Sequence, residues 1–293
     1  MVKSTAAAAL RDATAAVVLA YRPDESVVEN VARIRDQVAH VYIVNNSPGD
    51  QTVGALAGID PEAVTILDQA GNVGVAAGFN AGIRQALAAG SDHVVIFDQD
   101  SRPADGMIDR LLEVQAATPD AGIVAPALRS MATGVVYRRE SGAGVAEVPM
   151  LISSGSLLSR ALVERIGLHD EPLFIDYVDH DICLRARKAG LRNLKVFDAV
   201  LDHRFGDSDP VDFLGRQVYL ANYSPRRIFF QTRNRIVVVR RYGFGRWFWE
   251  DLWFTAKAWT KVLLIESGRA QKVRAALSGV RAGLTYPARE RHW

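Results

Sequence analysis

The stretch His93-Val94-Val95-Ile96-Phe97-Asp98-Gln99-Asp100-Ser101 passes directly from a β-branched and aromatic run into two carboxylates. That composition reads as a buried strand opening into a polar loop. The same alternation recurs upstream. Ala16-Val17-Val18-Leu19-Ala20 reads as a strand, and residues 26–38 as a helix with apolar Val27, Val28, Val31 and Ile34. Residues 41–44 and Val64-Thr65-Ile66-Leu67 read as two further strands, and the glycine-rich residues 71–82 lead into a helix through Leu87. Continuous apolar strands alternating with helices predict an α/β fold, a mostly parallel sheet with helices on both faces. Ligands of such sheets bind beyond the carboxyl ends of the strands.

Polar residues fall at those ends. Tyr21-Arg22-Pro23-Asp24 follows the first strand, Asn45-Asn46-Ser47 the second and Asp98-Gln99-Asp100-Ser101 the fourth. Each could be turn chemistry by itself; together they mark a site. Beyond Ala125 the pattern changes to smaller strands at Val135-Val136-Tyr137, residues 145–148 and Met150-Leu151-Ile152, an α+β extension of the same domain.

The chain has 293 residues, 49% hydrophobic and 23% charged, with a net charge of +2. This is a globular composition, which excludes disordered, collagen-like and disulfide-scaffold classes. Its one cysteine, Cys183, cannot form an internal disulfide, as expected in a reducing compartment. The charge is unevenly placed. Residues 225–293 hold 15 of the 35 basic and 4 of the 33 acidic residues, together with all five tryptophans, for a net +11; residues 1–224 carry −9. We therefore expect a catalytic domain at 1–224 and a basic, Trp-rich helical segment at 225–293. No run reaches the 18 apolar residues of a membrane span, because Lys257 and Lys261 interrupt the best candidate. The expected location is cytoplasmic, with peripheral contact at the inner face of the plasma membrane an option. In residues 249–263, Trp249, Leu252, Trp253, Ala256, Trp259 and Leu263 recur at helical spacing, with Glu250, Lys257 and Lys261 on another side. Such a helix suits an anionic bilayer interface, packing against the domain, or a dimer contact. No nucleic-acid partner is expected, since the acidic part would repel the same backbone.

Two carboxylates one residue apart, Asp98 and Asp100, suit a hard divalent ion bridging phosphate oxygens. Gly71-Asn72-Val73-Gly74-Val75-Ala76-Ala77-Gly78-Phe79-Asn80-Ala81-Gly82 is no dinucleotide fingerprint. Its glycines let backbone approach a ligand and Asn72 and Asn80 can offer amides, or the small residues serve tight helix packing. Asp176-Tyr177-Val178-Asp179-His180-Asp181 opens a helix closing at Gly190, and carries more acid than capping needs. An ordinary aspartate is ionised at neutral pH and can take a proton from a hydroxyl. His203, in the loop reaching Asp207, could complete a metal site.

In this order the clusters resemble inverting family 2 glycosyltransferases of the GT-A fold, over about residues 14–240. Phe174-Ile175-Asp176-Tyr177-Val178-Asp179 and Arg233-Asn234-Arg235 look most like rhamnosyltransferases that use dTDP-L-rhamnose. The resemblance implies Mg²⁺ or Mn²⁺ held by Asp98, Asp100 and His203, and Asp179 as the base that deprotonates an acceptor hydroxyl. It places Tyr21, Asn45, Asn46, Asn72, Gly74, Asn80, Asp98 and Gln99 around the donor, and Ser154, Gly155, Asp176 and Asp181 on the acceptor side. It implies a glycolipid or lipid-linked glycan as acceptor. The chain departs from the pattern at Asn45, where many members have Asp, and at Val178, where many have Glu. Transfer of another sugar, or a non-catalytic relative that keeps the fold, are the alternatives.

Overall fold

The computed structural model describes residues 8–59, 64–131, 133–137, 140–204, 209–213 and 216–287, with backbone alone at 50, 51, 53, 209–211, 213 and 216–219. Phe205, Gly206 and Asp207 of the expected His203 loop lie outside the described residues.

Strand β1 (Thr14–Ala20) is buried along all seven residues, the state its unbroken apolar run requires of a strand covered on both faces. It pairs in parallel with β2 (His40–Asn45) and β4 (His93–Asp98), and β2 pairs in parallel with β3 (Val64–Asp68). The connecting helices are α1 (Ser26–Arg35), α2 (Asp50–Leu56) and α3 (Val75–Ala88). The chain continues through β5 (Arg102–Pro103), α4 (Met107–Ala117), β6 (Ala121–Ser130), β7 (Val145–Glu147), β8 (Ser156–Ser159), α5 (Arg160–Ile166), α6 (Val178–Lys188) and β9 (Arg192–His203). Among the described residues these strands make one sheet in the order β3-β2-β1-β4-β8-β6-β9-β5, with β7 on β9. β8 runs antiparallel between β4 and β6, while β6 and β9 are parallel.

Alternate residues of β1 face opposite cores. Ala16, Val18 and Ala20 pack with Val27, Val31 and Ile34 of α1 and with Ile108 and Leu111 of α4. Ala15, Val17 and Leu19 pack with Phe79 and Ile83 of α3, Leu162 of α5 and Ile182 of α6. The alternation is the strand period of two working on both faces at once.

The smaller strands expected after Ala125 differ from those present. Residues 145–147 form β7, but Val136 makes a single bridge with Arg129, and Met150-Leu151-Ile152 is not a strand. Leu151 is apolar because it is buried in the core, where its carbonyl faces Cys183 Sγ at 3.7 Å. Burial pushes the Cys183 thiol up to about 12, which keeps it protonated.

Two compact units are present. One runs to Phe174 and resumes over Val178–Arg204; the other takes Ile175–Tyr177 and the described residues of 209–287. The division expected at Ser224 followed charge, whereas compactness divides the chain after Arg204. The hairpin β10 (Asp209–Phe213) and β11 (Arg216–Leu220) thus belongs with the helices α7 (Pro225–Tyr242), α8 (Arg246–Leu264) and α9 (Arg269–Thr285). Within this second unit α9 packs on α7 through Gly279 and Gly283, where a Cβ would come within 2.7 Å of the Phe229 carbonyl and 2.8 Å of the Arg233 carbonyl. No helix of the described residues is long and apolar enough to cross a membrane.

Candidate active site

Asp98 closes β4 and His203 closes β9, so two strand ends bring forward the residues expected to hold metal. One ligand atom each of Asp98, Asp100 and His203 lie within 4.8 Å of one another. Two carboxylates and an imidazole form a hard oxygen and nitrogen set that fits Mg²⁺ or Mn²⁺. Sequence reasoning missed the residue that supports the set, Ser101. It is fully buried, with its hydroxyl 3.0 Å from His203 Nδ1 and 2.6 Å from Ser154 Oγ, which in turn accepts the Asp98 amide at 3.1 Å. A hydrogen bond to one imidazole nitrogen is the usual means of orienting a ligating histidine. Burial lowers the His203 pKa, opposed by the nearby Asp100 carboxylate.

Asp179 stands in the first turn of α6, whose last turn carries Arg185, Arg187 and Lys188, the arrangement the helix dipole favours. Its carboxylate is 27% exposed. Oδ1 accepts the His180 amide at 2.9 Å and lies 3.1 Å from His180 Nδ1. Burial raises the Asp179 pKa, but the charge and hydrogen bonds of His180 outweigh it and hold the carboxyl below its ordinary value. The carboxylate is therefore held ionised and partly open to solvent.

The residues expected on the donor side separate into two groups. Tyr21 and Asn72 are exposed and Gln99 is half-buried, with its Oε1 accepting the Tyr21 amide at 2.7 Å. Asn45 and Asn46 are buried and organise the loops. Asn45 Nδ2 donates to Asp68 at 2.7 Å, while Asn46 donates to the Gly74 carbonyl at 3.3 Å and accepts the Val73 amide at 2.8 Å. Asp68 thus stands beside Asn45, a partner visible only once β2 and β3 are paired. Asn80 is a correction. It is fully buried, donating to the His169 carbonyl at 2.9 Å and to Glu171 at 3.0 Å, so its amide anchors the loop 169–171 rather than a sugar.

The glycine run also reads differently in place. Gly74 has φ +89°, and a Cβ there would meet the Phe174 ring at 2.6 Å, while the Phe174 carbonyl accepts the Val75 amide at 2.6 Å. The α3 N-terminus is capped by the chain itself. Gly78 and Gly82 lie against Leu19 and Val17 with no space for a side chain, so tight packing accounts for both.

Three acceptor-side residues are corrected as well. Ser154, Gly155 and Asp181 are buried. Asp181 pairs with buried Arg185 at 2.7 Å, a pair that holds α6 to the carbonyls of Ile166 and Leu168. Gly155 has φ +78°, with Pro126 2.8 Å from where a Cβ would stand. Within the second unit, Asp176 is held by Arg227 at 3.0 Å.

The family model for glycosyl transferase family 2 matches residues 15–174. The chain is 28% identical over 241 residues to the dTDP-rhamnosyl transferase RfbF of Shigella flexneri, covering 77% of this chain and 79% of that one. It is 29% identical over 254 residues to the galactofuranosyltransferase GlfT1 of Mycobacterium tuberculosis, covering 78% and 82%. Among solved structures, GalNAc-T7 with UDP, GalNAc and Mn²⁺ superposes with a TM-score of 0.60 at 12% identity over 94% of this chain and 56% of that one. S. aureus TarS 1–349 gives 0.59 at 13% identity over 93% and 81%. The sheet of parallel β3-β2-β1-β4 extended by mixed strands is the GT-A fold of these glycosyltransferases. The chain belongs to glycosyl transferase family 2, an enzyme family, and is similar within it to a dTDP-rhamnosyl transferase and a galactofuranosyltransferase.

Proposed function

We propose that this glycosyltransferase is an inverting, metal-dependent rhamnosyltransferase that moves L-rhamnose from dTDP-L-rhamnose to a hydroxyl of a glycolipid or lipid-linked glycan. The observation that carries the reading is the convergence of Asp98, Asp100 and His203, supported by the likeness to RfbF. A divalent ion held there would offset the charge of the nucleoside diphosphate leaving group. Asp179 takes the acceptor proton as the acceptor oxygen bonds to the anomeric carbon and the bond to the diphosphate breaks, which inverts the configuration. Tyr21, Asn72 and Gln99 are the open donor-side residues at the carboxyl ends of the strands, with Asn45, Asn46 and Gly74 shaping the loops beneath.

A second reading, galactofuranosyl transfer, is favoured by the 29% identity to GlfT1. A donor panel with the purified protein separates the two: the first reading requires turnover of dTDP-L-rhamnose in preference to a galactofuranose donor. For the base, Asp179→Asn should cost 10²–10⁴-fold in turnover, the range of general base catalysis. Wild-type turnover by that variant overturns the assignment. We assign membrane contact to the exposed face of α8, which fits a peripheral enzyme at a bilayer's inner face.

A further inference from the structure

The turn before Asp179 is strained. Phe174, Asp176 and Tyr177 have φ of 65°, 62° and 64°, a left-handed region that L-residues other than glycine rarely adopt. The segment Phe174-Ile175-Asp176-Tyr177-Val178 contains no glycine that would relieve this. Such conformations persist only where the surroundings over-determine them, and they gather at functional sites.

The surroundings are specific. Asn234 of α7 is fully buried, and its Nδ2 donates to the carbonyls of Ile175 at 2.9 Å and Asp176 at 2.8 Å. Arg227, two helical turns earlier on the same face, grips the Asp176 carboxylate with Nε and Nη2, both at 3.0 Å, and its guanidinium stacks 4.1 Å from the Tyr223 ring centre. Tyr177 donates its hydroxyl to Asp251 at 2.8 Å, and Arg235 Nε donates to the same carboxylate at 2.7 Å. The carbonyls of Ile175 and Asp176, both held by Asn234, and the side chains of Asp176 and Tyr177, held by Arg227 and Asp251, are thus all fixed within the second unit. A capped turn needs far less.

We propose that Asn234 and Arg227 are positioning residues for the transfer reaction. They fix the backbone at Ile175–Tyr177, the residues that lead directly into α6, where Asp179 follows Tyr177 by two residues. The inference rests on Asp179 being the base. It gives the Arg233-Asn234-Arg235 motif a task in catalysis without contact with substrate: a displacement of about 1 Å at a reacting group can cost about 10²-fold.

The test uses the full chain with Asn234→Ala, Arg227→Ala, Arg227→Lys and Asp179→Asn. Amide hydrogen exchange over residues 174–180 should accelerate at least tenfold in Asn234→Ala and Arg227→Ala. Turnover should fall about 10- to 100-fold with donor KM within about twofold, and Arg227→Lys, which keeps charge but not the fork, should recover part of the loss. Unchanged exchange in both alanine variants overturns the clamp. Faster exchange with wild-type kcat overturns its catalytic role while leaving the base intact, provided that Asp179→Asn is inactive. An active Asp179→Asn removes the base and this proposal together. If Asn234→Ala does not fold, the two Arg227 variants decide by the same criteria.

Discussion

The Ser101 hydroxyl stands 3.0 Å from His203 Nδ1, in a position that no exposed feature of the sequence marks. Both residues are buried, so the hydrogen bond is shielded from water and fixes the ring. Ser101→Ala should therefore leave the three side chains proposed to hold the metal in place but loosen one of them. The expected result is a 10- to 100-fold rise in the Mn²⁺ concentration that half-activates the enzyme, the usual cost of losing such a support. An unchanged activation constant would separate His203 from the metal.

Gly82 makes a second case in which a small residue is required by packing. A Cβ there would overlap Val17 Cγ1 and come within 2.8 Å of Cγ2, and Val17 belongs to the fully buried β1. Overpacking costs about 1–3 kcal/mol and the helical preference of alanine over glycine returns about 1, so Gly82→Ala should lower unfolding free energy by up to about 2 kcal/mol. Urea unfolding measures it. Stability above wild type would mean that α3 moves off the sheet without cost.

The strands β1–β4 were legible because two-sided burial demands unbroken apolar runs, and few other local structures do. The gathering of Asp98 and Asp100 at a strand end was legible because an unbroken apolar run passes straight into them, and in such sheets ligands bind beyond the strand ends. Asn80, Ser154 and Asp181 were misread for a common reason: polar residues near a site look alike in sequence whether they face a ligand or satisfy buried backbone. Asn80 satisfies the His169 backbone, and Asp181 neutralises Arg185. Ser101, Asn234 and Arg227 act through partners about 50 to 100 positions away, and nothing in their local sequence announces such contacts.

His169 gives the fold a dependence on pH of its own, apart from Asp98, Asp100 and His203. It is fully buried beside Phe79 and Asn80, and burial, aided by the charge of Arg185, lowers its pKa to about 4. In the unfolded chain the ordinary value near 6.5 applies, so between pH 4 and 6.5 the unfolded state binds more protons. Stability should rise with pH across that window and level off above it. The contribution is at most about 3 kcal/mol. His169→Asn should flatten the slope of urea-unfolding free energy between pH 4.5 and 6.5; an unaltered slope would assign the dependence to other groups.

The face of α8 offers the last prediction. Trp249 and Trp253 are 62% and 61% exposed, with Leu252, Leu263 and Leu264 also exposed on the same helix. Lys257 Nζ lies 4.6 Å from the Trp253 ring centre, so cation and aromatic surface occur together. An interfacial helix needs this pairing, because tryptophan enters the headgroup layer while the cations meet anionic lipid. Trp249→Ala with Trp253→Ala should reduce co-sedimentation with anionic vesicles at least tenfold. Salt should weaken wild-type binding as the screening length falls from about 10 Å at 0.1 M to about 3 Å at 1 M. Neutral vesicles should bind less at either concentration. Equal binding to anionic and neutral vesicles would remove the electrostatic part of the proposal. Absence of binding at low salt would remove all of it, and light scattering would then show whether the same face joins two copies of the chain.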